Sequence, residues 1–425
     1  VHLKSIHVAH IKSLHEVGLT FGDADLPGWH VILGDNSSGK TTLIRAIALA
    51  LVGPQEAMAL REDWTRWVEI GEVLGTVSLD LTYDTEWDTA TGTGRAYKHR
   101  SFEVALSVSK VTRTGNGKGT LPAQAQLEGN TPPRRYVWGS NRGWFSASFG
   151  PSRRFTGGNG DYQRVFFSNP RVARHLSAFS EQVALSEALM WLVERQRTGN
   201  GALVERVRAF LNGSHLLPHE VRLEAVTDQS LQFIDGNGVT VDVTELSDGY
   251  RSILSLALEL LRQMEACYGL QGLFDPEGGH VLAPGVVLID EIDAHLHPSW
   301  QTTVGDWFTS RFPNVQFIVA THSALVCRSI GATGRVFRLR APGMEGGQVT
   351  EITGEDRDKL WYGSLGTALE SAAFGLDVGR SAYGWERVEE LRALTSASRS
   401  RDLAPSERER LQHLRSVLTD ARENG

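Results

Sequence analysis

Cysteine is nearly absent: Cys267 and Cys327 are the two in 425 residues. They form neither a disulfide framework nor the paired spacing of a zinc site, and read as buried thiols of a reducing compartment. Long apolar runs are missing too. Nothing approaches the roughly 18 residues needed to span a bilayer, and the N-terminal VHLKSIHVAHIKSLHEVGLTF alternates instead of building a signal-peptide core. No membrane partner and a cytoplasmic location are expected. Nor is there excess positive charge. With 43 Lys and Arg against 50 Asp and Glu, the net charge is −7, which excludes a generally basic nucleic-acid coat and confines any polyanion contact to a local patch.

What is present is ordinary globular material, 41% hydrophobic and 22% charged, long enough for two or three domains. Composition and motifs suggest four segments. Residues 1–133 form an N-terminal lobe of strands around a glycine-rich loop. Residues 134–245 are an arginine- and aromatic-rich, then helical, insertion. Residues 246–340 carry a second group of motifs, and 341–425 a helical tail.

The stretch from His30 to Leu51 organises the rest. An apolar run, Val31-Ile32-Leu33, leads into Gly34-Asp35-Asn36-Ser37-Ser38-Gly39-Lys40-Thr41-Thr42 and then an apolar, helix-forming segment. This is the phosphate-loop pattern GxxxxGK[ST] between a strand and a helix. Backbone N–H groups of such a loop converge on an anion, the helix adds its positive end, Lys40 adds a charge, and the Thr41 hydroxyl suits Mg²⁺. An ordinary turn before a helix would explain neither Lys40 nor Thr41.

Before it, Ile6-His7-Val8 and Val17-Gly18-Leu19 read as a hairpin. After it, Gly53-Pro54 stops the helix, and Thr76–Tyr83 and Phe102–Val111 alternate as strands. From Arg134 to Arg174 there are eight arginines and one acid, Asp161, interleaved with aromatics such as Tyr136, Trp138, Trp144, Phe145 and Phe149. Two readings stay open: arginines paired inside the fold or lining the nucleotide site, or DNA or RNA contact through stacking and phosphate bonds. Helical spacing over Ser177–Leu211, broken at Thr198–Gly201, and a strand pair turning at Asp235-Gly-Asn-Gly complete the insertion.

Leu246–Ser252, LSDGYRS, opens a long apolar helix. Ser247 stands at the N-cap and Gly249 permits close approach, so this helix start can also face an anion. Val286–Gln301, VVLIDEIDAHLHPSWQ, has the form of a buried parallel strand delivering carboxylates at its C-terminal end. Asp290 suits the Mg²⁺ shell, and Glu291 suits orienting or deprotonating water. Asn314–Ser323, NVQFIVATHS, is another buried strand, ending at His322, which suits a γ-phosphate contact.

Phosphate loop, Ser-Gly helix start, Asp-Glu strand and strand-end histidine, in this order, resemble the ATP-binding-cassette class of P-loop ATPases. LSDGYRS, LIDEIDAHLHPSWQ, FIVATHSALV and SFGPSRR (Ser148–Arg154) are more similar to its stand-alone, AAA-labelled branch, related to OLD and SMC-like proteins. The resemblance covers roughly Leu3–Leu339. It implies an α/β cassette core with an N-terminal β-subdomain, an inserted helical subdomain and a helical tail. It also implies ATP and Mg²⁺ as cofactors and two composite sites in a head-to-tail dimer, with Ser247, Gly249 and Asp293 acting at the partner's nucleotide. Members of this branch include the ATPases of Septu and retron anti-phage systems, which work beside an HNH nuclease. A regulated, separate effector is therefore implied.

Asp248 and Tyr250 replace the usual Gly and Gln of the signature. The Mg²⁺-sensing glutamine of transporter-type cassettes has Gln163, or Arg153 and Arg154 in SFGPSRR, as candidate counterparts. His295 and His297 lie two apart, poor ligand spacing on a helix. Asp356-Arg-Asp358 resembles a nuclease DxD without the preceding strand, so nuclease chemistry in this chain is not expected. A capping box is read at Ser406–Glu409. The alternative function is a DNA-repair or chromosome-associated SMC-like ATPase. Against it, the roughly 205 residues between the phosphate loop and LSDGY hold no sustained heptads.

Overall fold

Alternation at the N-terminus becomes β1 (Leu3–Ile11) and β2 (Leu14–Thr20), an antiparallel hairpin whose inward residues Leu3, Ile6, Val8, Ile11, Leu14, Val17 and Leu19 are buried. The computed structural model of the chain describes all residues except 24–25, 61, 89–100, 112–123, 131, 140–142, 156, 158–168, 214–216, 331–332, 345–346, 375–381 and 420–425. Its two compact units are Val1–Thr353 and Gly354–Gly425.

In the first unit, β1 and β2 continue into β4 (Leu74–Thr82), β5 (Ser101–Val111) and β6 (Gln124–Gly129), an antiparallel sheet in the order β2-β1-β4-β5-β6. The second sheet contains β3 (Gly28–Leu33), β7 (Ser146–Phe149), β11 (Gly285–Ile289), β12 (Val315–Thr321), β13 (Val336–Leu339) and β14 (Val349–Glu351) in the order β14-β13-β3-β12-β11-β7. All its pairings are parallel except β13 with the edge strand β14. β3, β11 and β12 are buried along their whole length, as their unbroken apolar runs require of strands covered on both faces.

Helix α1 (Lys40–Val52) packs against strands of both sheets. Its sequence is apolar nearly all round, and Leu43, Ile44, Ile47, Leu49, Leu51 and Val52 join one hydrophobic core with β1, β4, β5, β11 and β12. Another aromatic cluster, Trp29, Phe308, Phe312 and Phe317, joins β3 and β12 to the helix Val304–Arg311.

The insertion forms α2 (Ser186–Arg197) and α3 (Gly201–Asn212), separated near the expected break. A small sheet follows: β8 (Arg222–Val226), β9 (Leu231–Ile234) and β10 (Thr240–Asp242), antiparallel in the order β10-β9-β8. Then comes α4 (Asp248–Tyr268), the longest helix of this unit. Glu265 on α4 receives hydrogen bonds from Arg195 and Trp191 of α2. The molecule is thus a mixed α/β fold with an N-terminal antiparallel sheet, a largely parallel central sheet, an inserted subdomain and C-terminal helices.

The second unit contains α5 (Gly354–Tyr362), α6 (Leu365–Glu370), α7 (Ala382–Ser400) and α8 (Pro405–Thr419). Asp356 and Asp358 lie on the helix α5. The capping box falls elsewhere than expected. Because α8 starts at Pro405, Ser406 is already inside its first turn, and Glu407 receives the Ala404 amide while pairing with Arg401. Leu411 and Leu414 of α8 are buried. No described helix is long and apolar enough to cross a membrane. Cys267 and Cys327 are free and buried.

Candidate active site

Parallel strands deliver their C-terminal ends to one edge of a sheet. Here β3, β12 and β11 are consecutive neighbours, so the loop after β3, His322 after β12 and Asp290-Glu291 after β11 come to the same edge.

The loop from Gly34 to Gly39 turns so tightly that side chains would not fit at its ends. A Cβ on Gly34 would lie 2.4 Å from the Leu339 carbonyl oxygen and 2.6 Å from Ser38 Oγ. Gly39, the α1 N-cap, has φ 102° and abuts Leu14. Ser37 is held at φ 66°, a conformation costly for a non-glycine residue. Asp35, Asn36 and Ser37 are exposed, Thr41 and Thr42 half-buried. Lys40 Nζ donates to the carbonyls of Gly34 at 2.7 Å and Asp35 at 2.9 Å, and lies 3.5 Å from His322 Nδ1. Burial holds the Lys40 ammonium below its ordinary pKa, against the opposing pull of Asp290, Glu291, Asp35 and Asp293.

Asp290 is 2% exposed, and its Oδ1 has no hydrogen-bond partner among the described residues. Burial pushes its carboxyl above the usual range, while the Thr41 hydroxyl bond and the charges of Arg45 and Lys40 pull the other way. A buried carboxylate oxygen without a partner is costly; a cation beside Thr41 would remove that cost. Ser38 Oγ, inside the loop, is likewise buried without a partner. Glu291 follows with φ 45°, a strained left-handed conformation for a side chain with a Cβ.

Arg153 fixes this corner from behind. Its Nε donates to Ser252 Oγ on α4, one terminal nitrogen to the carbonyls of Gly150 and Asp290, and the other to those of Glu291 and Ile292. All five donors of the guanidinium are engaged. Of the two arginines in SFGPSRR, Arg153 is buried and holds the main chain, whereas Arg154 donates to the Glu181 carbonyl at an exposed position. Gln163 lies outside the described residues.

Two further arginines of the stretch pair internally, whereas Arg134 is exposed. Arg171 bonds Glu56 and the Val137 carbonyl, and Arg174 bonds the Pro170 carbonyl and lies over the Phe145 ring. Tyr136, Trp144, Phe145, Phe149 and Phe155 are buried. These side chains are not available to stack on nucleic acid; Arg142, Arg164, Tyr162, Phe166 and Phe167 lie outside the described residues.

Asp293 accepts a bond from Thr321 Oγ1 within its own chain. Ser323 caps the short helix Ala324–Arg328 and donates to Gln301. His297 caps the turn Pro298–Gln301, accepting from the Ser299 amide.

Ser247 is different. It stands exposed at the α4 N-cap, makes no side-chain bond to its helix, and is not drawn into the Lys40 cluster. Gly249 packs beneath the His295 carbonyl and the Trp300 ring. The unusual neighbours have local roles: Asp248 pairs with Arg251, and Tyr250 donates to the Pro218 carbonyl with its ring edge-on to Trp300.

Sequence reasoning missed Arg153's grip, because its partners are backbone carbonyls that no side-chain pattern betrays. It also missed His175, buried between the hydroxyls of Ser146 and Ser148.

Comparison with known proteins fits this architecture. Residues 163–328 match the family described as "AAA domain, putative AbiEii toxin, Type IV TA system". The chain is 33% identical over 158 residues to the retron Ec83 probable ATPase of Escherichia coli, covering 34% of this chain and 28% of that protein. It is 23% identical over 333 residues to the Septu protein PtuA of Bacillus mycoides, covering 77% of this chain and 39% of that protein. The chain thus spans well under half the length of these curated relatives. A solved SMC head bound to the C-winged helix domain of ScpA aligns over 83% of this chain and 98% of its own at 15% identity and TM-score 0.49, too loosely to argue from. By these matches the chain contains an AAA-domain segment over residues 163–328 and resembles the Septu and retron ATPases.

Proposed function

We infer that the chain binds ATP with Mg²⁺ and hydrolyses it, and that nucleotide-dependent pairing of two chains regulates a separate effector in anti-phage defence. The observation that carries the reading is the convergence of Lys40, Asp290, Glu291 and His322 at one sheet edge, with a buried, partnerless Asp290 oxygen beside Thr41.

In this reading the amides from Gly34 to Thr42 and the Lys40 ammonium hold the phosphates; the ammonium exchanges its loop carbonyls for phosphate oxygens. Thr41 and Asp290 would hold Mg²⁺, which supplies charge neutralisation on the phosphates. Glu291 orients and deprotonates the attacking water, and His322 bonds the terminal phosphate. The exposed Ser247 hydroxyl and the α4 start, which serve no site in their own chain, complete the partner's site together with Gly249 and Asp293. Nuclease chemistry then lies with the effector, of which an HNH protein is the expected kind. The names of the relatives, a Septu protein and retron ATPases, support the anti-phage reading.

The test is ATP hydrolysis by the purified chain as a function of its concentration, with Glu291→Gln alongside. Turnover per chain should rise with concentration, and the variant should bind ATP without releasing phosphate. Unchanged hydrolysis in Glu291→Gln removes that residue from the chemistry, and DNA cleavage by the chain alone removes the separate effector.

A further inference from the structure

A second group of metal-ligating side chains lies away from the Asp290 carboxylate, at the open end of the β1–β2 hairpin turn. His10 and His15 face each other across the hairpin, between the registered pairs Ala9 with Glu16 and Ile11 with Leu14. Their rings meet edge to face with centroids 4.8 Å apart. Glu69 reaches both: its Oε2 is 2.7 Å from His10 Nδ1 and 3.1 Å from His15 Nδ1. One ligand atom from each of the three lies within 4.8 Å of the others.

The arrangement is held by the backbone. The Glu69 amide donates to the His10 carbonyl at 3.0 Å, and Lys12 donates to the Trp67 carbonyl at 2.7 Å. Gln348 clamps the turn, accepting from the His15 amide and donating to the Ser13 carbonyl. His10 and Lys12 are both in the left-handed region, at φ 54° and 52°, and such strain persists only where the surroundings over-determine it. On one side the group opens to a cleft of about 550 Å³, lined by His15, Glu16, Glu69 and residues 341–344 and 347–349.

We propose that His10, His15 and Glu69 form a binding site for a divalent transition-metal ion of the zinc class. Two imidazole nitrogens and one carboxylate are the donor set that such ions favour, and three protein ligands leave a fourth position for water or a ligand from the cleft. Around a tetrahedral ion with bonds of about 2.0–2.1 Å the ligand atoms stand about 3.3–3.4 Å apart, so the 2.7 Å and 3.1 Å hydrogen bonds to Glu69 open slightly, and each imidazole releases its Nδ1 proton to solvent as the ion enters. Hard Mg²⁺ prefers oxygen ligands and is not selected. The ion staples both hairpin strands to the Glu69 segment, one turn from Leu14 and Ser13, which touch the position of Gly39.

The experiment is competition for Zn²⁺ between the nucleotide-free full chain and a chromophoric chelator, repeated with Co²⁺, whose absorption reports coordination geometry. One ion per chain is expected, with a Co²⁺ spectrum of tetrahedral type. Glu69→Gln and His15→Ala should each weaken Zn²⁺ at least ~10-fold, and both should raise the melting temperature less on Zn²⁺ addition than the parent does. Thermal melts without metal show whether each variant is folded. His10→Ala serves as a third variant, because its backbone strain makes it the one most prone to misfold. Zn²⁺ held equally well by parent and by the folded Glu69→Gln and His15→Ala chains overturns the proposal, as does a parent chain that binds no Zn²⁺.

Discussion

Two helix starts in this chain, those of α1 and α4, are built on opposite plans. The start of α1 is furnished from within: a turn that excludes side chains at Gly34, a lysine bonded to loop carbonyls, and carboxylates from the neighbouring strand. The start of α4 offers an exposed serine with no bond to its own helix, over a glycine packed on Trp300. A cradle finished in its own chain can bind alone. One left half-furnished has use only when another surface comes to it.

Three substitutions put that difference under strain. Glu291→Gln leaves both helix starts intact and should lower phosphate release by about 10²- to 10⁴-fold, with ATP retained in a filter-binding assay; loss of binding would mean that Glu291 belongs to the α1 cradle instead. Lys40→Ala should weaken ATP by about 10- to 100-fold, the worth of a lost charged contact, and equilibrium dialysis measures it. Ser247→Ala should reduce hydrolysis by about 10-fold, one hydrogen bond at the oncoming surface, while ATP affinity of dilute chains stays at the parent value. An equal loss of affinity at all concentrations would make α4 part of a site within one chain.

The smallest effect lies away from both starts. Burial, with Arg174 and Arg171 nearby, lowers the His175 pKa to about 3. The unfolded chain therefore takes up a proton below about pH 6.5 that the native protein refuses, and stability falls as pH drops from there toward 3. Between pH 6.5 and 5 this amounts to about 1–2 kcal/mol. Urea unfolding should show a gentler pH slope in His175→Gln; an unchanged slope would mean another group carries the titration.

The comparison also explains what the sequence could reveal. The strands β3, β11 and β12 are legible because both faces are covered and the apolar runs are unbroken; the ends of such strands point to where Lys40, Asp290, Glu291 and His322 meet. The hairpin alternates, and so β1 and β2 are legible as well. The arginine stretch stays ambiguous on composition, since a guanidinium reads the same whether it bonds Glu56, a carbonyl or a phosphate. Glu69's place beside His10 and His15 depends on a backbone bridge between Ile11 and Val68, far apart in the chain and without a side-chain pattern. The first turn of α8 was misplaced because Pro405, which suits the first position of a helix, sets the start one residue ahead of Ser406.

Arg153 has a mechanical consequence. One rigid, planar group ties the turn after β7, the end of β11 and the second turn of α4 into a single splint. A flexible ammonium could follow a displaced partner, whereas this fork cannot. Any tilt imposed on the start of α4 must therefore be transmitted, as through a linkage bar, to the strained backbone of Glu291.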